Sequence, residues 1–135
     1  MNMNIAQFGH ESTDINKLTK KGTEILSTLK SYIGAEFSEH LIVNDTESTP
    51  TRLAVTFYGL RLLFRIEMSW GESGLVGSIA ANGISDVAPK ETPLAAVHYD
   101  ALGNIDRRMT LDEFAGPFLA SVFSKLYSAN VILKP

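Results

Sequence analysis

The sequence predicts an α+β domain: an antiparallel sheet of about five or six strands framed by an N-terminal and a C-terminal amphipathic helix. Near both ends of the chain apolar residues recur at about the 3.6-residue helical period. Between them, residues 52–70 alternate apolar and polar in two runs parted by a glycine, the mark of half-buried strands. With 44% hydrophobic and 20% charged residues in 135, one domain with a real core is expected, residues 1–11 being a loose arm.

The first helix is expected from about Thr13 to Ile33. Its stripe is Ile15, Leu18, Ile25, Leu26, Leu29 and Ile33, with Gly22 on the same face. Ser12 or Thr13 supplies a cap, Asp14 suits the positive end of the helix dipole, and Gly34 suits a left-handed C-terminal residue. Leu41-Ile42-Val43 then reads as a short edge strand, and residues 44–50 as a polar connector.

Leu53, Val55 and Phe57 face one way along the next strand, as do Leu60, Leu62, Phe64, Ile66, Met68 and Trp70 along its successor. A two-residue turn at Gly59-Leu60 sets Phe57 opposite Leu62, Val55 opposite Phe64, Leu53 opposite Ile66, and Arg52 opposite Glu67. A turn at Gly71-Glu72-Ser73-Gly74 sets Met68 opposite Gly77, Ile66 opposite Ile79, and Phe64 opposite Ala81. Ala54, Thr56, Leu63, Val76 and Ala80 are left on the second face, which is apolar for a surface in water and calls for a cover.

Gly83 to Pro93, with Pro89 inside it, reads as a loop. A strand from Leu94 to Asp100 turns at Ala101-Leu102-Gly103-Asn104 and returns through Ile105, Arg107 and Met109. For the last helix, Thr110 and Glu113 form a capping box and Met109 staples onto Phe114. Leu111, Phe114, Phe118, Leu119, Val122, Phe123 and Leu126 form its stripe. Gly116-Pro117 predicts a kink or break, because proline lacks the amide that the helix needs. Val131-Ile132-Leu133 is apolar enough to dock.

The absence of cysteine excludes disulfides, thiolate metal sites and thiol nucleophiles. The sequence holds no phosphate loop, dinucleotide fingerprint, nucleophile elbow or zinc-binding helix. His10 and His40 match no metal spacing, so neither metal nor cofactor is expected. A net charge of −3, with Lys17, Lys20 and Lys21 as a solvated helix face, argues against nucleic acid. No leader pattern and no run of about 20 apolar residues is present, so the expectation is a cytoplasmic protein without a membrane span.

The order of helix, antiparallel strands and closing helix in an acidic chain of this size resembles type III secretion chaperones, which are dimeric binding proteins. Those chaperones carry a middle helix in the dimer interface, where Gly83 to Pro93 reads as loop here.

A binding protein is therefore expected ahead of an enzyme. The leading expectation is a non-catalytic protein-interaction module, homodimeric through the face bearing Ala54, Leu63, Val76 and Ala80 or through the C-terminal helix. The second is a small apolar ligand held between sheet and final helix by Phe64, Trp70, Phe114 and Phe118. Trp70 by itself reads as a core residue at the sheet rim. The third is an enzyme using His98 and Asp100, two apart on one strand and so on one face. Arg61 and Arg65, with Arg107 or Arg108 nearby, are candidates for an anion site.

Overall fold

Every strand of the sheet is hydrogen-bonded to the strand before it in the chain, so the sheet is a simple antiparallel meander. The computed structural model describes residues 5–71, 74–84, 90–106 and 109–128, with side chains from Asp14 to Leu126. Helix α1 (Ile5–Glu36) precedes β1 (Ile42–Val43), β2 (Arg52–Phe57), β3 (Leu60–Gly71), β4 (Gly74–Ile84) and β5 (Glu91–Tyr99), and α2 (Ala115–Ser128) closes the chain. Both helices pack on the face that carries Val55, Leu62, Phe64 and Ile79. The α1 stripe from Leu18 to Ile33 is buried there, although Ile15 stays 44% exposed.

Helix α1 is longer than expected at both ends. The backbone is already helical at Ile5, so Ser12 and Thr13 lie inside the helix rather than at its cap. Gly9 alone costs a helix about 1 kcal/mol, too little to end a segment of this length. Gly34 is likewise an ordinary helical residue, and beyond the last turn the Phe37 amide still donates to the Ile33 carbonyl at 2.9 Å.

The β2–β3 turn is Tyr58-Gly59, not Gly59-Leu60. Both residues have positive φ, 47° and 83°, as in the mirror-image turns whose twist matches that of the strands. Phe57 therefore pairs with Leu60, Val55 with Leu62, Leu53 with Phe64, and Arg52 with Arg65. The register differs by two residues from the expected one. Side chains alternate with a period of 2, so every residue keeps its predicted face. A left-handed tyrosine is strained. Tyr58 is held by its edge contact with Phe57, centroids 4.8 Å apart, and by a 2.7 Å hydrogen bond between its hydroxyl and His40 Nδ1. The Arg52–Glu67 pair is not made. Like charges opposite one another repel, and the two arginines diverge: Arg52 Nε donates to the Glu47 carbonyl (3.0 Å) and Arg65 Nη2 to Glu91 Oε1 (2.7 Å).

Between β3 and β4 the expected register holds, with Met68 on Gly77, Ile66 on Ile79 and Phe64 on Ala81. The predicted Gly83–Pro93 loop is shorter, because β4 continues to Ile84 and β5 begins at Glu91. Pro93 sits within β5. That strand lies at the sheet edge, and its ladder shifts register between Ala81 and Asn82, with Leu94 as the extra residue. An edge strand with a bulge is where a missing amide is tolerated. Gly103 takes the left-handed turn position as expected, at φ 89°. No sixth strand follows among the described residues: Ile105 makes isolated bridges to Tyr99 and Met109, and Arg107 lies outside them.

Helix α2 starts at Ala115, five residues past the expected cap. The Thr110 carbonyl accepts from the amides of Glu113 (3.1 Å) and Phe114 (3.2 Å), so 110–114 form a turn. Pro117 then falls in the first helical turn, where no carbonyl awaits its missing amide, and the helix runs unbroken. Val131-Ile132-Leu133 lies outside the described residues.

Tyr99 ties the layers together. Its ring is 2% exposed, and its hydroxyl donates to the Leu18 carbonyl of α1 at 2.7 Å. A Cβ added at Gly22 would lie 2.3 Å from that hydroxyl, and one added at Gly77 would lie 2.4 Å from Tyr99 Cζ. The phenol occupies a slot whose two walls are glycine backbone. Burial pushes its pKa up to about 12. On the far side, Phe64 packs on Phe118 (6.0 Å) and Phe57 on Phe123 (5.2 Å), fixing α2 to the same face.

Gly77→Ala is expected to cost roughly 1–3 kcal/mol by overpacking, read from urea unfolding. Gly22→Ala gains about 1 kcal/mol of helix propensity but meets the pinned hydroxyl, so a net loss is expected. That loss should shrink when Gly22→Ala is placed in a Tyr99→Phe background; equal losses in both backgrounds would mean the slot is not what the glycine serves. The raised phenol also makes stability pH-dependent. Its contribution is complete below pH 10.0 and is lost as pH rises through about 12, roughly 2–3 kcal/mol in all. Tyr99→Phe should flatten the alkaline limb of the stability curve relative to the parent protein.

Candidate interaction face

With both helices on one face, the other face and the two sheet edges are the surfaces on which the strands themselves can meet a partner. Both edges are largely closed. Strand β1 is only two residues long, and the rest of β2's outer edge is occupied by its own connector. There the Asn44 amide donates to the Ala54 carbonyl (2.8 Å), the Ala54 amide donates to Ser48 Oγ (3.0 Å), and Thr49 and Arg52 exchange backbone hydrogen bonds. At the β5 edge, Pro93 and the Leu94 bulge interrupt one end, and at the other the His98 amide donates to Asp106 Oδ2 (2.9 Å). Among the described residues only a short length around Ala96 is left open, since the alternation that turns the His98 amide outward turns that of Ala96 the same way.

The second face carries the residues the alternation assigned to it. Ala54 is buried where residues 44–51 fold against β2, which is the expected cover in part. Leu63, Val76 and Ala80 are half-buried, and Ala96 and His98 beyond them are exposed. Ala80, Ala96, Asn82 and Pro93, with Glu67 at the rim, line a shallow depression of about 410 Å³. A second cleft of about 350 Å³ lies between α1 and the β1–β2 connector, with the Lys30–Asp45 ion pair (3.2 Å) among its lining residues. No sequence pattern announced that cleft, because its two walls meet only through the fold.

Arg61 and Arg65 share this face but do not converge on an anion. Arg61 lies 3.7 Å from a Glu47 carboxylate oxygen. Arg65 lies flat across β4 toward Glu91, with the Asn82 amide assigned the orientation in which its oxygen meets Arg65 Nη2 at 2.7 Å. Arg65 Nε is buried with no hydrogen-bond partner among the described residues. Arg107 and Arg108 lie outside the described residues.

His98 and Asp100 serve different neighbours. His98 Nδ1 lies 3.5 Å from Asp106 Oδ2. Asp100 has left the strand and holds the following turn: its Oδ1 accepts from the amides of Leu102 and Asn104, both at 3.0 Å, and its Oδ2 from the Asn104 side chain at 2.9 Å. Partial burial pushes the Asp100 carboxyl up, but these hydrogen bonds outweigh it and hold the pKa below the usual carboxylate value.

Phe64, Phe114 and Phe118 are buried against one another in the core, with Phe114 and Phe118 centroids 6.4 Å apart. Trp70 is not with them. It is 69% exposed near the end of β3, which corrects its reading as a core residue, because the sheet there outruns the layer that would cover it. Among the described residues there is no cluster of metal-binding side chains and no helix long and apolar enough to cross a membrane.

No family model, curated protein or solved structure matches this chain. Its chemistry is therefore read from its own residues.

Asp100→Ala is expected to lower stability by about 1 kcal/mol near neutral pH through loss of the turn's hydrogen bonds. A depressed carboxyl stabilises above its ordinary pKa and ceases to do so as pH falls through the folded value. The gap between parent and variant should thus close on acidification, and denaturant midpoints measured from neutral to strongly acidic pH would reveal a gap that stays constant instead.

Proposed function

We propose that this chain is a non-catalytic protein-interaction module that works as a homodimer joined through the outer face of its sheet. The observation that carries the reading is the half-exposure of Leu63 and Ala80 at the middle of a sheet whose edges are blunted and whose other face is covered, with Val76 half-exposed toward the β3–β4 turn. On that face Leu63, Ala80 and Ala96 lie near one another, with Arg65, Glu67 and Ser78 between them and Val76, and apolar side chains interleaved with polar ones suit an association surface. The charged residues here bear both signs, Arg61 and Arg65 against Glu67 and Glu91, so the face suits a partner of balanced charge. A second copy meets that requirement by construction.

Two facts rank the other readings lower. Of the aromatic residues expected to line an apolar pocket, Phe64, Phe114 and Phe118 fill one another's space and Trp70 lies apart from them, exposed. The carboxylate expected to orient His98 is taken up by its own turn.

Sedimentation equilibrium across the micromolar range is expected to give twice the chain mass. Ala80→Arg, which places a charge in the depression without touching the core, should return the monomer mass with an unchanged thermal midpoint. A parent protein that stays monomeric throughout that range overturns the proposal.

A further inference from the structure

We infer that the second copy docks in one register, with a two-fold axis crossing β3 at the position of Phe64, so that Arg61 of each copy meets Glu67 of the other. The inference rests on the homodimer reading above and adds the geometry that reading leaves open. Arg61 and Glu67 stand on the same face of β3, three positions to either side of Phe64, about 10 Å each way along the strand. They are equidistant from that point and opposite in charge. Rotation about an axis lying in the interface and perpendicular to the strand exchanges the two positions, so each Arg61 falls on a Glu67 and both contacts form at once.

The small and large side chains obey the same operation. Leu63 exchanges with Arg65, which sets leucine methyls on the aliphatic stem of arginine. Through the observed pairings Leu63–Asn82, Arg65–Ala80, Ala80–Ala96 and Asn82–Pro93, Asn82 falls on Ala80 and Pro93 on Ala96. Each bulkier group meets a shorter one, as interdigitation requires. Both charged groups are also available. Glu67 is exposed and forms no ion pair among the described residues, and the Arg61–Glu47 approach is long and partly solvent-exposed, worth little. The competing axis, along β4, would set Arg61 on Glu91, but Arg65 already holds that carboxylate at 2.7 Å. It would also leave Glu67 facing His98.

Because the pair is reciprocal, charge reversal distinguishes the two geometries. Arg61→Glu makes both positions acidic and Glu67→Arg makes both basic, so each variant alone should dimerise at least about tenfold more weakly at low salt. An equimolar mixture of the two should form a heterodimer, and the double variant R61E/E67R should recover parental affinity. Both residues lie at the surface, and matching thermal midpoints check that the fold is kept. A parent protein that is monomeric overturns the homodimer reading itself. If the parent is dimeric but the single variants keep its affinity, or neither the mixture nor the double variant restores it, the register is overturned while the homodimer stands.

Discussion

The fold depends on a phenol held between two backbones. Helix α1 approaches β4 closely at Gly22, and Tyr99 fills the gap that the missing side chains of Gly22 and Gly77 leave. Glycine is a poor choice for the middle of a helix or a strand, costing roughly 0.5–1 kcal/mol at each place. The cost is offset by burial of a large aromatic ring whose one polar atom finds a backbone carbonyl at 2.7 Å. The contact also has a direction. Since the hydroxyl must reach Leu18, it fixes where along α1 the sheet sits, and the Leu18 to Ile33 stripe then lies over β2, β3 and β4.

That placement decides which surfaces stay free. α1 and α2 share one face, meeting where Tyr32 approaches Gly116, and between them they take up most of the inward residues of the longer strands, Trp70 excepted. Among the described residues nothing of comparable size reaches the opposite face, and the β1–β2 connector covers only the Ala54 end of it. Arg65 partly compensates by lying flat over Asn82, its stem shielding apolar surface while its head reaches Glu91. The buried Nε is the cost of that pose, since a guanidinium laid along a sheet cannot present all its donors to acceptors.

Sequence reasoning succeeded where it rested on periodicity and failed where it rested on single residues. Alternation along 52–70 placed every side chain on its correct face even though the hairpin register was two residues off, because a shift by two preserves parity. The turn was misplaced because a left-handed tyrosine is unexpected, and its supports, Phe57 and His40, act through the fold. Proline misled in two opposite senses. Pro117 reads as a helix breaker until the helix is known to start two residues before it, and Pro93 reads as loop until its strand is known to be an edge. The outer face was legible from the pattern of Ala54, Leu63, Val76 and Ala80. The pairing of His98 was not, because Asp106 reaches it from beyond the turn that Asp100 closes, and nearness in sequence favoured the wrong carboxylate.

Closed edges beside a bare face also bear on specificity. An open edge offers backbone amides and carbonyls, which any extended chain can satisfy, and natural sheets suppress it for that reason. Here the suppression is achieved three ways: a two-residue β1, a connector that pairs with β2, and the proline, bulge and Asp106 cap along β5. A face offers side chains instead, and side chains of both signs reject most partners through misplaced charge while accepting one that repeats their own spacing. A meander protected in this way can leave half-buried leucine, valine and alanine in solvent without inviting indiscriminate strand addition. In the proposed dimer, association is then left to that face.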